Sequence, residues 1–487
     1  MQFCSTRNEK LSVSAAHAIS QGLSSEGGLF VPTEFPKANV AEILALPDYP
    51  SIAAKVLGLF LTDYDADFLQ SAANKAYGDA FNGKAGQVTK VGEGLHSLEL
   101  WHGPTCAFKD YALQILPHLL VEAKKLQKID TETFILVATS GDTGKAALEG
   151  FKDVPGVKIA VFYPCDGTSK VQRLQMTTQK GNNVGVYAVH GNFDDAQTGV
   201  KKVFANAELK KEIAANGVEL SSANSINWGR LAPQIAYYFA AYKQLLNNNE
   251  IKMGEQVDYC VPTGNFGDIL AGWYAKQMGL PVGRLICASN RNNVLTDFFA
   301  TGTYNAKRPF YRTTSPSMDI LVSSNLERLL YHLGGSENIK SWMADLAEKS
   351  CYTVTEDVRK KLAADFAAGY ADEASCAKEI NDLFHAGYLC DPHTAVAFKV
   401  AKDYRAAHND GHAMVVLSTA SPFKFPGDVL SALDKAVPVD EFDAMHELSE
   451  FTGAKAPDAL AGLQGATERF TTEIDPDAIA QVALNKL

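Results

Sequence analysis

The chain has 487 residues, 46% apolar and 21% charged, with 37 Gly and 19 Pro, a balance that excludes disordered and fibrous classes. Its 56 acidic and 45 basic residues leave a net charge of −11, which removes the electrostatic basis for binding nucleic acid or an anionic membrane; a small molecule or a protein is the expected partner. No uncharged apolar run reaches the roughly 18–20 residues of a membrane span. The first residues, with Arg7, Glu9 and Lys10, lack the apolar core of a signal peptide, so the expectation is a cytoplasmic protein.

Residues 1–95 form one expected domain, with a helical patch at Asp65–Tyr77 and turns at Pro32, Pro36, Pro47 and Pro50. The segment after Asp110 predicts a helix over Tyr111–Leu120. From about residue 130, short β-branched or aromatic runs are followed by a Gly-bearing turn and an amphipathic stretch. Phe134–Ala138, Lys158–Tyr163, Val184–Val189, Val257–Val261, Arg284–Ala288 and Met414–Leu417 all obey this grammar. It predicts a doubly wound α/β core of mostly parallel sheets over 96–298 and 390–487, with 130–225 as a smaller subdomain. Residues 299–389 leave the pattern, with helices expected at Glu337–Ala347 and Glu356–Phe366, and read as a mostly helical insertion.

The eight cysteines include no CxxC pair and the eleven histidines no HExxH, so neither a disulfide framework nor a metal site is expected. Ligands of α/β sheets sit beyond the carboxyl ends of the strands, which directs attention to the turns there. Thr263-Gly264-Asn265-Phe266-Gly267-Asp268 follows a strand and opens a helix, a place where unpaired N–H groups and the helix dipole suit a phosphate. Backbone geometry alone also produces such turns. The related GNFDD at Gly191–Asp195 reads as a helix start capped by Asp194 or Asp195.

Ser140-Gly141-Asp142-Thr143-Gly144-Lys145 has the same placement and suits a carboxylate or a phosphate, or is simply a capped helix. Its spacing is not that of a nucleotide P-loop. Lys109, behind Phe108 at a helix start, becomes a nucleophile toward aldehydes if it is desolvated, and is an ordinary exposed lysine if not. A lysine, a phosphate cradle and a carboxylate cradle together specify a pyridoxal phosphate enzyme acting on an amino acid.

At this point the sequence resembles the threonine synthase family, in its long form with an N-terminal domain, within the tryptophan-synthase-β-like (fold type II) pyridoxal phosphate enzymes. The motifs that carry the resemblance are SEGGLFVP, LELWHGPTCAFKD, ATSGDTG, GNFDDAQ, NSINWGR, PTGNFGD, SPSMDILVSSNLERLL and LCDPHTAVA, in order over nearly the whole chain. The resemblance implies that Lys109 carries pyridoxal 5'-phosphate as a Schiff base, that Gly264, Asn265, Phe266, Gly267 and Asp268 hold its phosphate, and that Thr419 faces its ring nitrogen. It implies that Ser140, Asp142 and Thr143 receive the substrate carboxylate, and that Asn224, Ser225 and Arg230 hold the substrate phosphate. From the residues alone, Arg230 would be a surface side chain. Lys424 keeps the family pattern, whereas Ser421 stands where relatives usually carry His.

The implied reaction converts O-phospho-L-homoserine and water to L-threonine and phosphate, with Lys109 moving protons at a pKa nearer neutrality than an exposed lysine has. The alternative is a phospho-lyase releasing a 2-oxo acid, ammonia and phosphate. A monomer or homodimer is expected.

Overall fold

The computed structural model describes residues 1–139, 141–408 and 410–487. The apolar runs become the strands of two sheets. The smaller runs in the order Glu473–Ile474, Val184–Val189, Val157–Pro164, Glu132–Ala138, Val218–Ser221, every neighbour parallel. The larger runs Phe366–Tyr370, Val282–Ser289, Val257–Pro262, Ala413–Ser418, Leu95–Glu99, Gln87–Gly92, parallel except for the final hairpin. Val257–Pro262 is buried along its whole length, as a strand covered by helices on both faces must be. All six expected strands are present, each extended by a residue or two or matching at its ends.

Three corrections concern boundaries. The N-terminal unit joins a small antiparallel sheet (Phe3–Ser5, Asn8–Val13, Phe30–Pro32) to helices that include Ala66–Tyr77, whose N-cap Asp65 accepts from Phe68 N–H. The expected boundary at 95, however, cuts through the hairpin Gln87–Glu99, which belongs to the larger sheet. Within 299–389 the helices Leu326–Gly334, Ser336–Lys349, Glu356–Asp365 and Glu373–His385 form, yet Phe366–Tyr370 between them is the edge strand of that same sheet. Its centre, Ala367-Ala368-Gly369, carries no strand propensity, so pairing with Leu285–Ser289 decides its state. Lastly, Glu473–Ile474 and the helix Ile479–Asn485 return to the smaller sheet, where Ile479 and Ala483 pack with Phe134, Leu136 and Val200.

Two local expectations also shift. The helix predicted over Tyr111–Leu120 is broken into Asp110–Leu113 and Leu116–Leu126, with Pro117 tolerated in the first turn of the second piece. At GNFDD the cap is Asn192, whose side chain accepts from the N–H groups of Asp194 and Asp195, while Asp195 accepts from Asn192 N–H at 2.8 Å in a capping box. Among the described residues no helix is long and apolar enough to cross a membrane.

Candidate active site

The carboxyl ends of both sheets deliver their turns to one cleft, and Lys109 stands between them. The segment before it closes on the buried Asp110, whose carboxylate accepts from Thr105 N–H at 2.8 Å and Thr105 Oγ1 at 2.7 Å. Burial pushes Asp110 up to about 7 against the pull of those bonds. Gly103 has no room for a side chain, since a Cβ would lie 2.4 Å from Asp110 Oδ2 and 2.8 Å from its Cβ. Phe108 N–H donates to Thr419 O at 2.8 Å and Ser421 N–H to Cys106 O at 3.1 Å, which fastens the lysine segment to the end of the strand Ala413–Ser418. Thr419 is thereby beside the lysine segment.

Lys109 Nζ lies 3.7 Å from Asp142 Oδ2 and donates to Ser317 Oγ at 3.4 Å, with its side chain 13% exposed. Burial brings its pKa below that of an ordinary lysine; Asp142 opposes this, and the charges of Lys424 and Arg230 reinforce it. The desolvated reading of Lys109 is the one realised.

Asp142 begins the helix Asp142–Phe151 and its buried carboxylate meets Lys424 Nζ at 2.5 Å. Burial alone would raise its pKa, but Lys424 and Lys109 hold it well below the usual carboxylate range. A carboxylate engaged by two lysines does not receive a second carboxylate. What the turn offers an anion is the first-turn N–H groups of Asp142 and the half-buried Thr143, which precede any intrahelical acceptor. Ser140 lies outside the described residues.

On the larger sheet, the N–H groups from Gly264 through Asp268 meet no acceptor among the described residues. The loop is braced from behind: Ser323 Oγ donates to Gly264 O at 2.6 Å, and Asn325 N–H and Nδ2 donate to Asn265 O at 3.0 and 3.1 Å. Phe266 takes the left-handed conformation, with φ of 65°, to turn the chain into the helix Gly267–Met278. The side chain of Asp268 does not join this cradle. It accepts from the Tyr237 phenol, and burial pushes it up to about 7, so its contribution to an anion is its N–H.

Asn224 is exposed, and Ser225 O accepts from Asn325 Nδ2 at 3.2 Å, which ties the Asn224–Arg230 segment to the same brace. Arg230 is buried, contrary to the surface placement its residue type suggests. Its guanidinium donates to Ala223 O, its Nε has no partner, and no carboxylate pairs with it among the described residues. Burial lowers its pKa to about 10. A buried guanidinium with unspent donors has the chemistry to bind an anion.

Residue-by-residue reasoning missed Ser317, which touches Lys109, and His393 and Asp391, which stand in line behind Ser317, and gave Lys424 no role. Their motifs, SPSMD and DPHT, are conspicuous as strings, but only tertiary contact shows what they touch.

A free N–H cradle, an unpaired buried guanidinium and a lysine of depressed pKa at the strand ends of an α/β core define the pyridoxal phosphate class, and these donors fit that cofactor. The family described as pyridoxal-phosphate dependent enzyme matches residues 89–420. The families described as threonine synthase N terminus and threonine synthase, C-terminal match residues 2–77 and 394–482. The threonine synthase of Pseudomonas aeruginosa is 39% identical over 448 residues, covering 90% of each chain. The human protein named threonine synthase-like 1 is 38% identical over 434 residues, covering 86% of this chain, which spans 58% of that relative's length. The crystal structure of threonine synthase from Brucella melitensis, with PLP bound, superposes with a TM-score of 0.89 at 34% identity over 100% of this chain and 99% of that one. The yeast threonine synthase structure gives a TM-score of 0.88 at 30% identity, covering 100% of this chain and 99% of that one. The chain belongs to the threonine synthase family.

Proposed function

We propose that the protein is a pyridoxal-phosphate-dependent threonine synthase, converting O-phospho-L-homoserine and water to L-threonine and phosphate. The observation that carries this reading is the buried, carboxylate-free Arg230 within the electrostatic reach of Lys109. One phosphate cradle suffices for the cofactor; a second, made of a guanidinium, calls for a substrate with a phosphate of its own.

Gly264, Asn265, Phe266, Gly267 and Asp268 would hold the cofactor phosphate through their N–H groups, Lys109 its aldehyde carbon, and Thr419 its ring nitrogen. When bound, the cofactor supplies an electron sink that lets a proton leave the carbon beside the substrate amine. Lys109 takes and returns protons at carbon, a task for which its lowered pKa suits it. Arg230, with Asn224 and Ser225, holds the substrate phosphate and stabilises it as it departs. Asp142 and Thr143 orient the substrate carboxylate through their N–H groups, with Ser140, two residues before Asp142 in the sequence, taken from the motif alone, while the Asp142 side chain keeps Lys424 and Lys109 in place. The protein acts on a small molecule in the cytoplasm, as a monomer or homodimer, and the net charge of −11 supports no role at nucleic acid or membrane.

The test is to incubate the holoenzyme with O-phospho-L-homoserine and quantify phosphate, threonine and 2-oxobutyrate. Threonine and phosphate in equal amounts, abolished by Lys109→Ala, are expected. Phosphate with 2-oxobutyrate would make the protein a phospho-lyase, and absence of phosphate release would overturn the substrate.

A further inference from the structure

We propose that Ser317 is a further catalytic residue whose hydroxyl holds the Lys109 amine in both of its protonation states, and that His393 is a positioning residue that fixes Ser317 through its backbone N–H. The inference rests on Lys109 being the proton-moving group of the proposed reaction. Ser317 sits in the short turn Pro316–Met318, exposed to the cleft, where its Oγ accepts from Lys109 Nζ and donates to Asp142 Oδ2, each at 3.4 Å. A hydroxyl is both donor and acceptor and can rotate. It accepts from the ammonium form of Lys109 while donating to Asp142, and it donates to the neutral amine once the proton has left. Asp142 stays ionised against Lys424 throughout, so no proton is lost to it.

The Ser317 N–H donates to His393 Nε2 at 3.1 Å, and His393 Nδ1 lies 2.6 Å from Asp391 Oδ2. A backbone N–H can only donate, so Nε2 is the acceptor and the ring proton is on Nδ1, directed at Asp391. Asp391 is itself tied down: it caps the helix Pro392–Ala407, and its other oxygen accepts from Thr394 N–H at 3.1 Å. Both Asp391 and His393 are buried. The far side of the turn is held by Asp319, which accepts from Thr313 N–H at 2.9 Å and from Asn290 and Asn292 at 2.8 and 3.0 Å. Supports on both sides of the turn converge on a residue whose own side chain is exposed. The partners of that hydroxyl among the described residues are Lys109 and Asp142, both in the site.

Three variants test this: Ser317→Ala, His393→Leu, and His393→Gln, whose amide oxygen can replace the Nε2 acceptor. In the holoenzyme, Ser317→Ala is expected to lower kcat about tenfold with KM changed far less, as loss of one hydrogen bond to a charged group would. His393→Leu should reproduce that pattern and His393→Gln restore most of the rate. A second readout is the pH midpoint for alkylation of Lys109 in the apoenzyme, followed by peptide mass. Loss of an acceptor for the ammonium should lower that midpoint by about half a pH unit or more in Ser317→Ala. An unchanged kcat and midpoint in Ser317→Ala overturns the catalytic role, and His393→Gln as impaired as His393→Leu overturns the positioning role. If the wild-type protein forms no threonine, the proposed function fails, and the alkylation midpoint still reports whether Ser317 holds Lys109.

Discussion

The two glycine turns that face each other across the cleft are built alike and behave oppositely. Each follows a buried parallel strand, each opens a helix, and each places a buried Asp in the first helical turn: Asp142 on the smaller sheet and Asp268 on the larger. Asp142 is paired with Lys424 and Lys109 and stays ionised well below the usual range. Asp268 is given phenols in place of cations, Tyr237 and Tyr238, and is pushed up to about 7. The local motif therefore does not determine the charge; the partners supplied by distant segments do. The chemistry of each turn follows. A fixed anion suits the turn that must anchor two lysines, and an acid close to neutral suits the turn whose N–H groups must stay free for a phosphate, since a full negative charge there would repel it.

The largest effect should come from breaking the ionised side. Lys424→Met leaves Asp142 without its closest cation in a site where Lys424 is fully buried. Loss of one partner of a buried pair costs about 3–5 kcal/mol, to be read as a lowered urea midpoint. With Lys109 drawn closer to Asp142, kcat should fall as well. Unchanged stability would mean that Asp142 is solvated and that the contrast between the turns is false.

On the larger sheet, the expected effects are smaller and depend on position. A Cβ at Gly264 would lie 2.9 Å from Ser317 O, a backbone atom that cannot rotate away, whereas at Gly267 the nearest atom is Asn325 Nδ2 at 3.5 Å, an ordinary contact. Gly264→Ala should weaken pyridoxal phosphate about tenfold or more, since the cradle and the Ser317 turn must separate, a backbone shift of the kind that costs about 1–3 kcal/mol. Gly267→Ala should bind nearly as the wild type does. Equal affinities for the two variants, measured by titrating the apoenzyme with cofactor, would remove the close approach as a feature of the cradle.

The same contrast explains what the sequence made legible. The strands and both glycine turns could be read because continuous β-branched runs and Gly-bearing turns are local signals, and they survive in Val257–Pro262 and Glu132–Ala138. Phe366–Tyr370 could not be read, because an Ala-Ala-Gly centre becomes a strand only when Leu285–Ser289 offers an edge to pair with. At the site, the shielding of Lys109 could be raised from its motif, whereas the side-chain partners of the two aspartates could not. The side chain of Asp142 is held by Lys424 and Lys109, and that of Asp268 by the Tyr237 phenol, contacts that neither motif shows. In both, the deciding partner lies 30 or more residues away: Tyr238 is 30 residues from Asp268, and Lys424 is 282 from Asp142. Arg230 shows the converse, a side chain whose buried state follows from its packing and not from its type.

The finest test of the comparison is the pH dependence of Asp268. Its folded pKa, about 7, lies above the ordinary value of 3.8, so its contribution to stability is fully present below about pH 4 and is lost as pH rises through 7. Asp268→Asn keeps an oxygen for the Tyr237 phenol and removes the titration. The wild type should therefore lose more stability than the variant between pH 5 and pH 8, by at most about 3 kcal/mol, as read from urea midpoints. Asp110, pushed up to a similar value, is present in both proteins and cancels from the difference. Inorganic phosphate supplies the complementary reading. Its affinity for the wild-type apoenzyme should decline above pH 7 more steeply than for the variant, because only the wild type acquires a carboxylate charge beside the cradle. Parallel stability curves and parallel phosphate titrations would mean that Asp268 is ionised throughout, and that the free N–H groups of its turn tolerate an adjacent anion.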